Sequence, residues 1–417
     1  MTQTLYEQAL EILERNDLGT YTIPTHGLYP FQWNWDSALS AIGQFYSDED
    51  RGWTEIETLF AHQWEDGMVP HIIFHKEDDG YYPGPEVWRT NRVVPTTGIT
   101  VSRLFDRAKD KDMARKRAAA LLPAIARWHD WFFRTRDPEG AGLAAIIHPW
   151  ESGRDNSIDW DEAFERVPTE GVEAFTRRDT LHTNPAHRPT EEQYKRYIWL
   201  VQHFRGLNWD SEKLHDASPF RIVDPGFNAI LMRSCTDLAA LADELGMPDL
   251  AAHSRAQAAK GLAAMEALWS GKHQQYLCQD RVTGSLIDSP SVGGLLPVFA
   301  PIAQPRADAI AARIEDLGRR VNFLLPSHDP AAEGYDGSRY WRGPAWLIVN
   351  YMVSDGLMRD GHERTAARII DDSVKLILSG GFSEYFDPIT GEPCGGSDFT
   401  WTAAMVIEFL NLTKGKE

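Results

Sequence analysis

Basic residues are scarce in this chain. Its 417 residues carry 42 Lys and Arg against 61 Asp and Glu, a formal net charge of −19. Nothing in that balance offsets phosphate repulsion, so a nucleic-acid partner and an anionic membrane surface are both excluded. Cysteine is scarcer still. Cys235, Cys278 and Cys394 stand far apart with no C-x-x-C spacing, which excludes a disulfide framework and points to a reducing, cytoplasmic compartment. No apolar run approaches the roughly 18 residues of a membrane span. Met1 to Asn16 reads as an acidic amphipathic helix without the basic and apolar regions of a secretion signal. Gly-rich phosphate loops and βαβ alternation are missing, which excludes a dinucleotide or P-loop enzyme. Zinc spacings such as His-Glu-x-x-His are missing too, so no metal and no cofactor is expected.

Tryptophan, by contrast, is abundant: 15 residues, with aromatics making up 11% of the chain. Core packing takes many of them but does not explain tryptophans set among acids in polar loops. Aromatic faces there offer stacking surface for sugar rings.

Apolar residues recur at helical spacing over 2–15, 36–47, 51–64, 96–108, 112–134, 225–245, 248–269, 290–302, 305–318, 343–359, 362–379 and 398–413. Two pairs are joined by breakers, Gly246-Met247-Pro248 and Asp360-Gly361-His362, which stop one helix and start the next as antiparallel hairpins. Successive hairpins suit an all-α, closed (α/α)6 barrel of six inner and six outer helices, occupying residues 1–417 as one catalytic domain. An open α-solenoid fits the helix count as well, but no repeat of about 30–50 residues is visible. The polar stretch 143–222 interrupts the series and reads as a loop-rich, cap-like insertion over the mouth of the ring.

That stretch holds His148-Pro149-Trp150-Glu151-Ser152-Gly153-Arg154-Asp155-Asn156-Ser157, a run with neither helical nor strand period and therefore a loop. A carboxyl beside an indole in a partly dry pocket has its neutral form favoured, as a general acid requires. The bland alternative is a solvated turn in which Asn156 and Ser157 cap a helix. Four other stretches share this polar, aromatic character. Tyr29-Pro30-Phe31-Gln32-Trp33-Asn34-Trp35-Asp36 ends where a helix begins; Asp36 there is either an N-cap or an acceptor of sugar hydroxyls between Trp33 and Trp35. His62-Gln63-Trp64 to His71, followed by Trp88, reads as substrate-lining or structural, with Gln63, His71 and Trp88 as candidate contacts. Tyr340-Trp341-Arg342-Gly343-Pro344-Ala345-Trp346 places Tyr340, Trp341 and Trp346 at the start of a helix. Lastly, Gly381-Phe382-Ser383-Glu384-Tyr385-Phe386-Asp387-Pro388 sets Glu384 among aromatics. Asp155 and Glu384 together supply the two carboxyl groups that glycoside hydrolysis uses.

In their order along the chain, YPFQWNWDS, QxxxGMVPH, WESGRDNS, RPTEEQYKRY, YWRGPAW and SEYFDPITGEP resemble glycoside hydrolase family 63, most closely its bacterial mannosylglycerate and glucosylglycerate hydrolase branch. The resemblance spans nearly the whole chain. It implies an (α/α)6 barrel and an inverting α-glycosidase acting on a small-molecule glycoside. By the same resemblance Asp155 is the general acid and Glu384 the general base. Tyr29, Trp33, Trp35, Asp36 and Gly153 would line the sugar pocket with Trp341 and Trp346, and Arg188 and Tyr194 would grip the aglycone carboxylate. A guanidinium suits that task because it binds carboxylates bidentately; an internal salt bridge is the plain alternative. One departure stands out: the branch carries Ser-Gly-Ile-Thr-Gln-Pro where this chain has Thr97-Gly98-Ile99-Thr100-Val101-Ser102. Valine cannot make the amide's hydrogen bonds, so a substrate hydroxyl relying on them would lose a partner. Three other readings stay open: an oligosaccharide α-glucosidase of the same family, a sugar epimerase using His62, His71 or His148 as bases, and a non-catalytic sugar-binding protein.

Overall fold

The computed structural model describes residues 4–76 and 94–414. Trp88 and its neighbours Tyr81 and Tyr82 lie outside the described residues. Helix α1 (Leu5–Arg15) opens with a capping box between Thr4 and Glu7. It is followed by α2 (Asn34–Ser47), α3 (Glu49–Ala61), α4 (Thr97–Arg107) and α5 (Lys111–Arg136). The middle of the chain holds α6 (Asp161–Glu165), α7 (Asp179–His182), α8 (Glu191–Gly206) and α9 (Ser211–Ala217). Then come α10 (Pro225–Glu244), α11 (Pro248–Met265), α12 (Gln304–Leu317), α13 (Leu347–Arg359), α14 (Glu363–Gly380) and α15 (Thr400–Lys414). Among the described residues the strands are two-residue pairs, such as Gln32–Trp33 with Ile72–Ile73. The fold is all-α.

The inner elements close a ring. Helix α2 packs on α4, α4 on α10, α13 on α15, and α15 back on α2, while α10 and α13 meet through the turns at 292–299. Outside them, α3 backs α2, α5 backs α4, α11 backs α10, α14 backs α13 and α1 backs α15. Helix α12 covers the turns. The fourth inner position is therefore not the helix expected over 290–302 but two 3-10 turns, Val292–Gly294 and Leu296–Phe299. The cause is local: Pro290, Gly293, Gly294 and Pro297 break an α-helix, and a side chain at Gly294 would overlap the Tyr276 carbonyl. Hairpin junctions fall where Gly and Pro place them, with Gly246 and Gly361 both left-handed.

Segment 143–222 leaves and rejoins the ring at one place. Ile146 and Ile222 exchange backbone hydrogen bonds of 2.8 and 2.9 Å between the end of α5 and the start of α10. Helix starts converge on the same side as this segment. Trp35 and Asp36 occupy the first turn of α2 and Trp401 that of α15, while Trp346 immediately precedes α13. Unpaired N–H groups and the positive ends of helix dipoles thus face one mouth, which favours carboxylates there. Among the described residues no helix is long and apolar enough to cross a membrane.

Candidate active site

The mouth of the ring opens into a cavity of about 890 Å³, counting the solvent in its entrance. Tyr29, Trp33, Trp35 and Asp36 enter it from the start of α2 and the chain leading into it, His71 from just before the strand Ile72–Ile73, and Gly153 and Asp155 from the loop after α5. Arg188, Tyr194, Tyr340 and Glu384 line it as well. Three expected contacts lie elsewhere. Gln63 donates to the carbonyls of Gly67 and Ala124, both at 2.8 Å, and so ties a loop to α5. Trp341 and Trp346 stack face to face at 3.9 Å behind Tyr340 and Tyr385, a second layer that supports the wall rather than forming it. Asp36 is not an N-cap: α2 begins at Asn34, and Asp36 sits in its first turn, facing the cavity.

Glycines bring the two carboxyl groups into place. Gly153 is left-handed at φ 72°, and a Cβ there would stand 2.8 Å from the indole of Trp35, so only glycine lets the ring cover the Asp155 loop. Gly395, at φ 76°, lies against Glu384; its Cβ would meet Glu384 Cβ and the Tyr385 ring at 2.7 Å.

Glu384 is fully buried ahead of the strand Tyr385–Phe386. The Gly396 N–H donates to its Oε2 at 3.0 Å and the Tyr29 hydroxyl to its Oε1 at 3.1 Å. Arg188 donates to the same Tyr29 oxygen at 3.0 Å and places Nη1 3.7 Å from Glu384 Oε2. Burial raises the Glu384 carboxyl above its ordinary value, while Arg188, the Gly396 N–H and Tyr29 pull it back down. Asp155 has fewer such donors. Burial pushes it up to about 7, against the pull of Arg188 and its own backbone N–H and with a further push from Glu384. Asp36 is raised well above its ordinary value by burial, with Glu384 and Asp155 adding to it. Two carboxyl groups in one cavity thus have different environments, one poised to hold a proton near neutrality and one supplied with donors to its charged form.

Arg188 is shared among several partners. Besides Tyr29 and Glu384 it reaches Asp179 at 3.4 Å and lies 3.9 Å over the Tyr340 ring. Asp179 also accepts from Arg177 at 2.7 Å, and Arg177 covers the Tyr194 ring at 4.5 Å. Sequence reasoning missed Asp179 and Arg178, which lie in a stretch of mixed charge with no aromatic or periodic signal. It also missed Phe399 and Trp401, although Phe399-Thr400-Trp401 repeats at the start of α15 the aromatic spacing of Phe31-Gln32-Trp33.

Residues 29–402 match the family described as mannosylglycerate hydrolase MGH1-like glycoside hydrolase domain. The chain belongs to this family of glycoside hydrolases. Mannosylglycerate hydrolase MGH1 of Selaginella moellendorffii is 44% identical over 421 residues, spanning 98% of this chain and 86% of that protein. Glucosylglycerate hydrolase of Mycolicibacterium hassiacum is 31% identical over 97% of both chains. The crystal structure of the GH63 mannosylglycerate hydrolase from Thermus thermophilus, in complex with Tris and D-glycerate, matches at 41% identity with a TM-score of 0.95. That match covers 98% of this chain and 100% of the Thermus chain.

The histidines of this glycoside hydrolase do not form a pair of cavity bases. His71 lines the cavity, but His62 bonds the Thr58 carbonyl and stacks edge-on with His75. His148 is fully buried; its Nδ1 accepts from the Trp150 N–H and its Nε2 faces the Tyr197 carbonyl, both at 3.1 Å. Burial lowers it to about 3, so it stays neutral and structural. Among the described residues no cluster of His, Cys, Asp and Glu is placed to hold a metal ion. Val101 takes no part in the described cavity. It is fully buried on α4 in an apolar cluster with Ala38, Leu104 and Leu238.

Proposed function

We propose that the enzyme hydrolyses an α-linked glycosylglycerate, with α-mannosylglycerate as the leading substrate, and inverts the anomeric centre. Asp155, protonated, donates to the glycosidic oxygen as the bond to the sugar breaks. Glu384, ionised, takes a proton from a water that attacks the anomeric carbon from the opposite face. Glycerate and a sugar of β configuration leave. The observation that carries this reading is the contrast between the two carboxyl groups: Asp155 at about 7 with few donors, Glu384 with Tyr29, Arg188 and Gly396 around it.

With two of its four carboxyl groups protonated the cavity carries no net negative charge, which leaves room for an anionic substrate. With Asp36 and Asp155 protonated, Asp179 and Glu384 face Arg178 and Arg188 around the cavity. Arg188, which lines the cavity, takes the glycerate carboxylate in this reading. Trp33, Trp35 and Trp401 serve as apolar walls for the sugar ring. Segment 143–222 acts as the cap of a single catalytic domain, since it supplies Asp155, Arg188 and Tyr194 to the mouth. The three cysteines are free and buried, which fits a cytoplasmic setting.

NMR-monitored hydrolysis of α-mannosylglycerate, α-glucosylglycerate and the neutral disaccharide kojibiose tests the reading. Cleavage of a glycerate glycoside with the β-anomer appearing first is the expected result. An α-anomer appearing first overturns inversion, and cleavage of kojibiose alone overturns the carboxylate clamp in favour of a neutral α-glucosidase.

A further inference from the structure

Arg154 precedes Asp155 in sequence but points the other way, into the protein. It is 2% exposed and does not line the cavity. Its guanidinium is held from three directions. Asp159 lies at 3.2 Å and Asp224, the N-cap of α10, at 3.0 Å. Ser157 and Ser291 accept from it at 3.1 Å, and the ring of Trp160 lies 5.1 Å away. Ser291 is the N-cap of the turn Val292–Gly294, and Gly293 in that turn leaves the space the guanidinium fills, for a Cβ there would stand 2.5 Å from Cζ. The backbone is fastened as well. The Arg154 N–H donates to Ser152 Oγ at 2.9 Å, the Ser157 N–H to the Arg154 carbonyl at 3.0 Å, and the Tyr197 hydroxyl to the Asp155 carbonyl at 3.0 Å.

We propose that Arg154 is a positioning residue for the general acid: clamped between α10 and the fourth inner turn, it fixes the peptide from which Asp155 reaches the glycosidic oxygen. The proposal rests on the reading of Asp155 as that acid. A guanidinium fork is needed because two carboxylates and two hydroxyls on separate elements are joined at once, which an ammonium cannot do. Two buried carboxylates facing one arginine also explain why Asp224 is raised by its burial, with Arg154 drawing it down. Nothing in this arrangement touches substrate, so its effect is on where the acid stands and not on binding.

A comparison of leaving groups tests this. An α-mannosylglycerate needs its glycosidic oxygen protonated as it departs; an α-mannosyl fluoride departs as fluoride and depends far less on the acid. Arg154→Lys keeps the charge and loses the fork. Asp224→Asn keeps an N-cap for α10 and loses the ion pair, so it carries the test if the lysine variant does not fold. Both are expected to lower kcat on α-mannosylglycerate by about 10–100-fold, with KM and the rate on the fluoride changed less than about threefold. Asp155→Asn is the reference and should lose about 10²–10⁴-fold on the glycerate glycoside while retaining the fluoride reaction. Equal losses on both substrates in the Arg154 and Asp224 variants, or no loss on either, overturn the proposal. Equal losses in Asp155→Asn itself overturn the assignment of the acid, and the proposal with it.

Discussion

Gly395→Ala is the sharpest test of how Glu384 is held. The glycine sits at φ 76°, where an alanine costs about 1–2 kcal/mol. More telling is the space. The new Cβ would stand 2.7 Å from Glu384 Cβ and 2.7 Å from the Tyr385 ring, and nearer still to Glu384 Oε2. Real Cβ contacts essentially never fall below 3.0 Å, so atoms must part by several tenths of an ångström at least. The contact with Glu384 Cβ is not with a flexible tip, so the root of the side chain is pushed as well as its end. Tyr29 and the Gly396 N–H hold that end by hydrogen bonds, and a shift towards 1 Å breaks one of them. Misplacing a catalytic group by that distance costs about 10²-fold in rate. The expected outcome is a kcat lower by about 10–100-fold, little change in KM, and a melting temperature lower by no more than a few degrees. Gly246→Ala is the control. It has the same left-handed backbone at φ 73° with nothing within 4 Å of its Cβ, so it carries the backbone cost without the clash and kcat should stay within about threefold. A Gly395→Ala enzyme that unfolds cooperatively and keeps kcat within threefold of the parent would refute this account of the base.

Three further outcomes are expected. If Asp155 is the acid, as proposed, it must be protonated, and burial pushes it up to about 7, so kcat/KM should fall on the alkaline side with a midpoint of about 7; a limb several units higher assigns the proton elsewhere. Tyr29→Phe removes a donor to the ionised form of Glu384, so its protonated form gains and the acidic limb should move up by about one pH unit; an unmoved limb would show that Tyr29 does not tune the base. Gln63→Ala should leave KM unchanged and lower stability by about 1–2 kcal/mol in denaturant titration, because its bonds are to Gly67, Ala124 and Arg127; a raised KM would return Gln63 to the substrate.

Much of this enzyme is written in short stretches of sequence. Helix ends at Gly246-Met247-Pro248 and Asp360-Gly361-His362 depend on the backbone freedom of neighbouring residues, which a local reading captures. The aromatic, acid-rich loops announce themselves because no periodic element can bury them, and Asp155 and Glu384 stand out for the company they keep. Those same local signals misplace residues whose partners are distant. Gln63, Trp341 and Trp346 carry the chemistry of a binding site but are turned towards α5 and a stacked second layer. The fourth inner position is a pair of turns because Pro290, Gly293, Gly294 and Pro297 break the helix that the apolar content of 290–302 suggests. Above all, Tyr29 and Glu384 are 355 residues apart, and Arg188 and Glu384 come together only when the ring closes. Burial and the arrangement of donors decide which carboxyl keeps its proton, and both are properties of the closed ring that no stretch of chain possesses alone.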